Sequence, residues 1–418
     1  MKIVVVGGGS TYTPELIDGM ARLRDTLEVT EIVLVDPDVQ RRELLAAMAN
    51  RMLDRVDHPA KVVEGGDVAA AAEGAAAVLF QLRVGGQAAR ARDETWPLEC
   101  DCVGQETTGA GGLAKALRTV PVVLDLAEQI RRVAPEAWLV DFTNPVDIVT
   151  RALLQEGHRA LGLCNVAIGF QRFFAELLDV EPGRIELGHV GLNHLTWERA
   201  VRLDGEDVLP RLLETHGDLL AQRVRQPREL LTLLNALPSY YLRYFYEHDT
   251  VVHELKHATP RAEEVAGMER RLLEMYADQT VDTKPSLLDQ RGGAFYSEAA
   301  VALVASLVTN RGDVQVVNVR NEGTLPYLPD DMTIEVPAVI SELGARPLPA
   351  APLDAGSAGL VAAVAGYEQL ALDAALRGGR ERVVAALLAH PLVGQWELAN
   401  RLTDRLLAEN SAYLAWAR

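Results

Sequence analysis

The stretch KIVVVGGGSTYTPEL at the start of the chain constrains the fold more than any other. A β-branched run (2–6) meets three glycines, then a proline, Pro14, suited to the first turn of a helix. Strand, glycine turn and helix in that order open a dinucleotide-binding βαβ unit. EIVLV (31–35) supplies a second strand, closed by Asp36 where an acceptor for the ribose diol is expected. Gly7 and Gly9 fit the glycine fingerprint, while its third position holds Tyr12. Gly7, Gly9, Ser10, Thr11, Asp36 and, further on, Arg83 are the candidate cofactor-binding residues. NAD is expected over NADP, because the Asp36 carboxylate would repel a 2′-phosphate.

The alternation continues through AAAVLFQLR (75–83), a helical 113–133, AWLVDFTNP (137–145) and RALGLC (159–164). Strands alternating with helices over this length predict an α/β fold with a doubly wound, Rossmann-type parallel sheet. Ligands of such sheets bind beyond the carboxyl ends of the strands, where Arg83, Asn144 and Cys164 fall. At 418 residues the chain exceeds what one core usually supports. A cofactor domain over 1–168 and a mixed α/β substrate and oligomerisation domain over 169–418 are therefore expected. FTNPVDIVT (142–150) resembles a segment of lactate and malate dehydrogenases, which suggests their architecture. The catalytic histidine of those enzymes lies in a G-E-H-G segment, absent here.

Composition narrows the function. Fifty-nine acidic against 41 basic residues give a net charge of −18, which argues against a broad nucleic-acid surface. A small anionic ligand held by a few arginines is compatible with it. Uninterrupted apolar runs such as AAAVLF (75–80) are too short to span a bilayer. The N-terminus lacks the form of a signal peptide, so a cytosolic protein starting at Met1 is expected. Three cysteines cannot build a disulfide framework, and Cys100 and Cys102 read as a reduced structural pair. ARPLPAAPLDAGSAG (345–359) reads as a loop.

Eight stretches in order carry a resemblance: GGGSTYTPEL, RVGGQAARARDE, GQETTGAGG, FTNP, GLCNV, GLNHLTW, YYLRYF and RGGAFYS. Together they resemble glycoside hydrolase family 4, the NAD- and metal-dependent glycosidases, and Cys-Asn-Val resembles its 6-phospho-β-glucosidase branch. The resemblance implies Cys164 and His194 as ligands of a divalent metal, manganese(II) foremost, and Tyr241 as catalytic base. It implies substrate contacts at Arg90, Asn144, Asn165 and Arg261. Spacing alone does not separate His194 from His189 as the ligand, and soft sulfur by itself would suit zinc or iron. A homodimer or homotetramer acting on a phosphorylated disaccharide or aryl glucoside is implied, with neither nucleic acid nor membrane as partner.

The implied chemistry explains a residue set without the usual carboxylate pair. NAD⁺ takes hydride from carbon 3 of the sugar, the metal polarises the resulting carbonyl, and Tyr241 removes the proton on carbon 2. Elimination expels the aglycone, water adds, and the hydride returns. Two departures stand out. Ala167 occupies the place of a proline in the related Cys-Asn-Val-Pro, and Asn165 cannot protonate a leaving group. HELKH (253–257) also matches the zinc-protease pattern H-E-x-x-H literally. Its β-branched lead-in and Pro260 disfavour the long helix such a site needs.

Overall fold

The computed structural model describes residues 1–293 and 295–417. Six strands come first: β1 (Lys2–Val6), β2 (Glu31–Val35), β3 (Lys61–Gly65), β4 (Ala77–Phe80), β5 (Trp138–Asp141) and β6 (Ala160–Gly162). They pair in parallel in the order β3-β2-β1-β4-β5-β6, with Val4 opposite both Val33 and Val78. Helices cover both faces, so β1 buries consecutive residues: Ile3, Val4 and Val5 are fully enclosed.

The second half does not start a separate sheet. Strands β7 (Ile185–Leu192), β8 (Leu195–Leu203), β9 (Glu206–Asp207), β10 (Leu237–Pro238), β11 (Val314–Arg320), β12 (Thr333–Ser341) and β13 (Gly344–Pro347) extend the first one. The junction is antiparallel, through Asn318 of β11 opposite Gly162 of β6, and the path runs on to β12, β7, β8 and β10. The hairpin β7–β8 turns at Asn193-His194, where His194 has a φ of 64°. That antiparallel extension places GLNH beside the end of β6, and so beside Cys164.

Local chemistry sets the element ends. Pro14 sits in the first turn of helix Thr13–Arg22, and Asp38 caps helix Val39–Arg55 by accepting from the Arg41 amide at 3.0 Å. The helix expected at 113–133 begins earlier, at Gly109. Its glycines permit close packing: a Cβ on Gly111 would lie 2.4 Å from the Gln105 carbonyl oxygen and 2.5 Å from that of Asp93. The GQETT loop is thereby pressed against the helix start.

Two expectations are corrected. The stretch 345–359 is not one loop: it begins inside β13, and Asp354 caps a helix starting at Ala355. Counting uninterrupted apolar runs also overlooked that helix, Ala355–Arg377, which is long and apolar enough to cross a bilayer by length and composition. Half of its apolar window is buried in the protein, with Val361, Ala371 and Leu372 enclosed against helices Gly109–Val133 and Arg380–Ala389. Ala167 lies in the first turn of helix Asn165–Leu178, where alanine continues the helix as readily as a proline could start it.

Candidate active site

A cavity of about 750 Å³ opens beyond the carboxyl ends of β1, β2, β4 and β5. Its wall includes Gly7, Gly9, Ser10, Asp36, Arg83, Arg90 and Asn144, seven residues singled out by the sequence. Thr11 lies beneath the loop, fully buried, and its carbonyl accepts from the Tyr276 hydroxyl at 2.9 Å. At one end of the cavity the Gly9 amide donates to Asp36 Oδ2 at 3.0 Å, and the Asp38 amide donates to Oδ1 at 2.9 Å. A Cβ on Gly9 would meet the Asp36 carboxyl carbon at 2.7 Å, so only glycine fits there. A glycine turn, a helix start and a carboxylate ending the second strand form a cradle for a dinucleotide diphosphate and ribose.

Further along the wall, the buried Glu106 carboxylate pairs with Arg83, with Lys115 at 2.6 Å and with Arg90 at 3.2 Å. Burial opposes its charge, but these three cations outweigh that and hold it well below the usual carboxylate range. Burial pushes Lys115 down to about 7 against the pull of Glu106. Asn144 Oδ1 is buried with no hydrogen-bond partner, an acceptor left open for a ligand's hydroxyl.

Cys164, His194 and Tyr241 adjoin this wall. Tyr296, a cavity residue, hydrogen-bonds Cys164, as do the Asn193 side chain and the Val166 amide. Burial, with Glu335 nearby, still pushes the Cys164 thiol well up. A thiolate here needs a cation beside it. The His194 ring stacks on that of Tyr241, centroids 3.6 Å apart. Burial lowers His194 to about 4, so it carries a free lone pair at neutral pH. Burial, then Cys164 and Glu106, push Tyr241 up, and Arg90 pulls the other way.

The choice between the two histidines becomes physical at this point. His189 has both ring nitrogens engaged, Nδ1 with Glu198 at 2.5 Å and Nε2 with Glu335 at 2.8 Å. Burial opposes its charge, yet the two carboxylates raise it to about 10. An imidazolium held from both sides has no lone pair for a metal; His194 does. One thiol and one neutral imidazole suit a divalent ion whose other positions are open to substrate oxygens. No group of three or more His, Cys, Asp or Glu side chains placed to hold a metal occurs among the described residues.

Arg261 is exposed at the start of helix Arg261–Ala277, outside the cavity wall; it pairs with Glu264 and donates to the Gln290 carbonyl at 2.8 Å. Arg291 of RGGAFYS does line the wall, bound to Glu269 at 3.0 Å. Asn165 is half-buried at the start of the helix that follows Cys164. HELKH lies on a ten-residue helix, His248–His257, with both histidines exposed and Glu254 bound to Arg243 at 2.7 Å. Cys100 and Cys102 are buried and unpaired.

Sequence reasoning passed over Glu106, Lys115, Arg291 and Glu269. The first and third lie inside quoted motifs, where an ionised side chain among glycines was the available signal. Lys115 and Glu269 sit within helices, with no local pattern to mark them.

A dinucleotide cradle joined to a thiol–imidazole pair and a tyrosine defines a nucleotide- and metal-assisted enzyme acting on a small polar substrate. Comparison with known proteins gives the family. The model of family 4 glycosyl hydrolases matches residues 2–180 and that of the family's C-terminal domain matches 189–393. The chain belongs to glycosyl hydrolase family 4. It is 38% identical to a probable 6-phospho-β-glucosidase of Bacillus subtilis, over 99% of this chain and 97% of that one. It is 33% identical to the 6-phospho-β-glucosidase BglT of Thermotoga maritima, over 99% of both. The structure of the Thermotoga maritima 6-phospho-β-glucosidase with NAD and glucose-6-phosphate superposes with a TM-score of 0.93 at 32% identity, over 99% of both chains. Malate dehydrogenase from Salinibacter ruber, at 17% identity and a TM-score of 0.54, shares the fold.

Proposed function

We infer that the chain hydrolyses 6-phospho-β-glucosides with NAD and a divalent metal, manganese foremost. One observation carries this reading: Cys164, a neutral His194 and Tyr241 adjoin a cavity whose far end is a dinucleotide cradle. The relatives named 6-phospho-β-glucosidases support the sugar, and a Thermotoga maritima 6-phospho-β-glucosidase structure with manganese, NAD⁺ and glucose-6-phosphate supports the helper groups.

When bound, NAD supplies a reversible hydride acceptor for carbon 3 of the sugar and the metal polarises the neighbouring oxygens. The chain's residues do the rest. Gly7, Gly9, Ser10 and Asp36 hold the dinucleotide, with Arg83 beside them. Asn144 offers its open acceptor to a sugar hydroxyl, and Arg90, also in the wall, orients the ring. Tyr241 takes the proton from carbon 2. Its phenol is too weakly acidic in the buried site alone, so its ionisation would need the cation that Cys164 and His194 would hold beside it. In a chain of net charge −18, a wall containing Arg83, Arg90, Lys115 and Arg291 suits a phosphorylated ligand. Arg291, whose main chain Arg261 supports, takes the part expected of Arg261.

The same reading includes a cytosolic location, consistent with three unpaired cysteines, and a homodimer or homotetramer. The test is release of nitrophenol from the 6-phospho-β-glucoside, its α-anomer and the unphosphorylated β-glucoside. Turnover of the first alone, requiring both NAD⁺ and Mn²⁺ and without net NADH, is expected. Net NADH accumulation on a 2-hydroxyacid would point to a dehydrogenase instead.

A further inference from the structure

Nδ1 of His194 lies 2.9 Å from Oγ1 of Thr107, and that contact alone does not say which atom holds the proton. The neighbouring contacts do. The Thr107 backbone amide, which can only donate, points at Gln105 Oε1 at 2.5 Å. That fixes the amide oxygen, rather than its nitrogen, on this side. Thr107 Oγ1 lies 2.8 Å from the same oxygen. Without a proton between them, two sets of lone pairs would face each other at that distance. The single hydroxyl proton is therefore committed to Gln105, and Thr107 has only lone pairs left for His194. Nδ1 of His194 must be the donor.

We propose that Gln105 and Thr107 form a proton-directing pair that sets His194 as the Nδ1–H tautomer, leaving the Nε2 lone pair for the metal. Both are positioning residues that act through His194. The tautomer decides which ring nitrogen presents a lone pair to an arriving ion. The GQETT loop can do this because Gly111 lets it lie against the helix start, within reach of the β7–β8 turn. The inference rests on the reading of His194 as a metal ligand.

The test measures Mn²⁺ affinity from the spectrum of free Mn²⁺, and the His194 tautomer from two-bond ¹⁵N–¹H correlations in metal-free protein labelled at histidine. Wild type is expected to show Nδ1–H. Thr107→Val should weaken Mn²⁺ binding by about 10- to 100-fold and Thr107→Ser should restore it. Gln105→Met, which frees the hydroxyl to donate to Nδ1, should shift the population toward Nε2–H. Wild-type Nε2–H would overturn the proposal, whatever the folding of any variant. So would wild-type affinity in Thr107→Val while His194→Ala loses the ion. Wild-type affinity in His194→Ala would instead overturn the assignment of the ligand itself.

Discussion

The imidazole of His194 and the phenol ring of Tyr241 lie face to face, their planes within 9° of each other. The proposed metal ligand and the proposed base thus form one stacked pair, and their contributions can be separated by substitution. Tyr241→Phe keeps the stack and removes the proton acceptor. Activity should fall by roughly 10²- to 10⁴-fold, the usual contribution of a general base. Mn²⁺ affinity should stay within about twofold by titration calorimetry. A parallel loss of metal affinity would mean that the phenol oxygen is a ligand rather than a base.

Cys164 is expected to behave in the opposite way. Cys164→Ser replaces a soft, polarisable ligand with a hydroxyl far harder to ionise, so metal affinity and turnover should fall together. Unchanged metal dependence would return Cys164 to the role of a buried core residue. Burial holds the thiol protonated in the metal-free protein, so Mn²⁺ binding should release a proton, readable as heat that varies with the buffer.

The cradle makes a separate prediction. Gly9→Ala forces a methyl against the Asp36 carboxyl carbon at 2.7 Å, and should abolish NAD binding by fluorescence titration. Asp36→Ala should weaken NAD through the lost ribose contacts, by about 1–3 kcal/mol, and narrow the preference over NADP. Retained NAD affinity in both variants would place the dinucleotide elsewhere.

Much of this site was legible because local chemistry wrote it. KIVVVGGG could only be a strand running into a tight turn, and Asp36 ends the next strand within reach of the Gly9 amide. Cys164 could be placed at a strand end for the same reason. What the chain order concealed were the contacts made at long range. His189 and His194 look alike in sequence, and they are told apart by Glu335, a residue 146 positions from His189. Nothing local in the chain separates Arg261 from Arg291 either: the first donates to the main-chain carbonyls of Gln290 and Arg291, while the second lines the cavity. A single continuous sheet was equally hidden, since it depends on the long-range pairing of Asn318 with Gly162.

The carboxylate-clamped His189 predicts a pH dependence of stability. Its folded value is raised to about 10, above the ordinary value near 6.5. The contribution is therefore fully present below about pH 6.5 and is lost as pH rises toward about 10. Chemical denaturation of wild type and His189→Gln should show a difference that shrinks over that alkaline interval. A difference independent of pH would mean that His189 is neutral in the fold.

The central claim is that carbon 2 of the sugar loses its proton to Tyr241 during hydrolysis. Turnover of a 6-phospho-β-glucoside with NAD⁺ and Mn²⁺ in D₂O tests this directly by mass spectrometry and NMR of the released sugar phosphate. Deuterium at carbon 2 in the product is the expected result. Efficient hydrolysis with protium retained there would contradict the account.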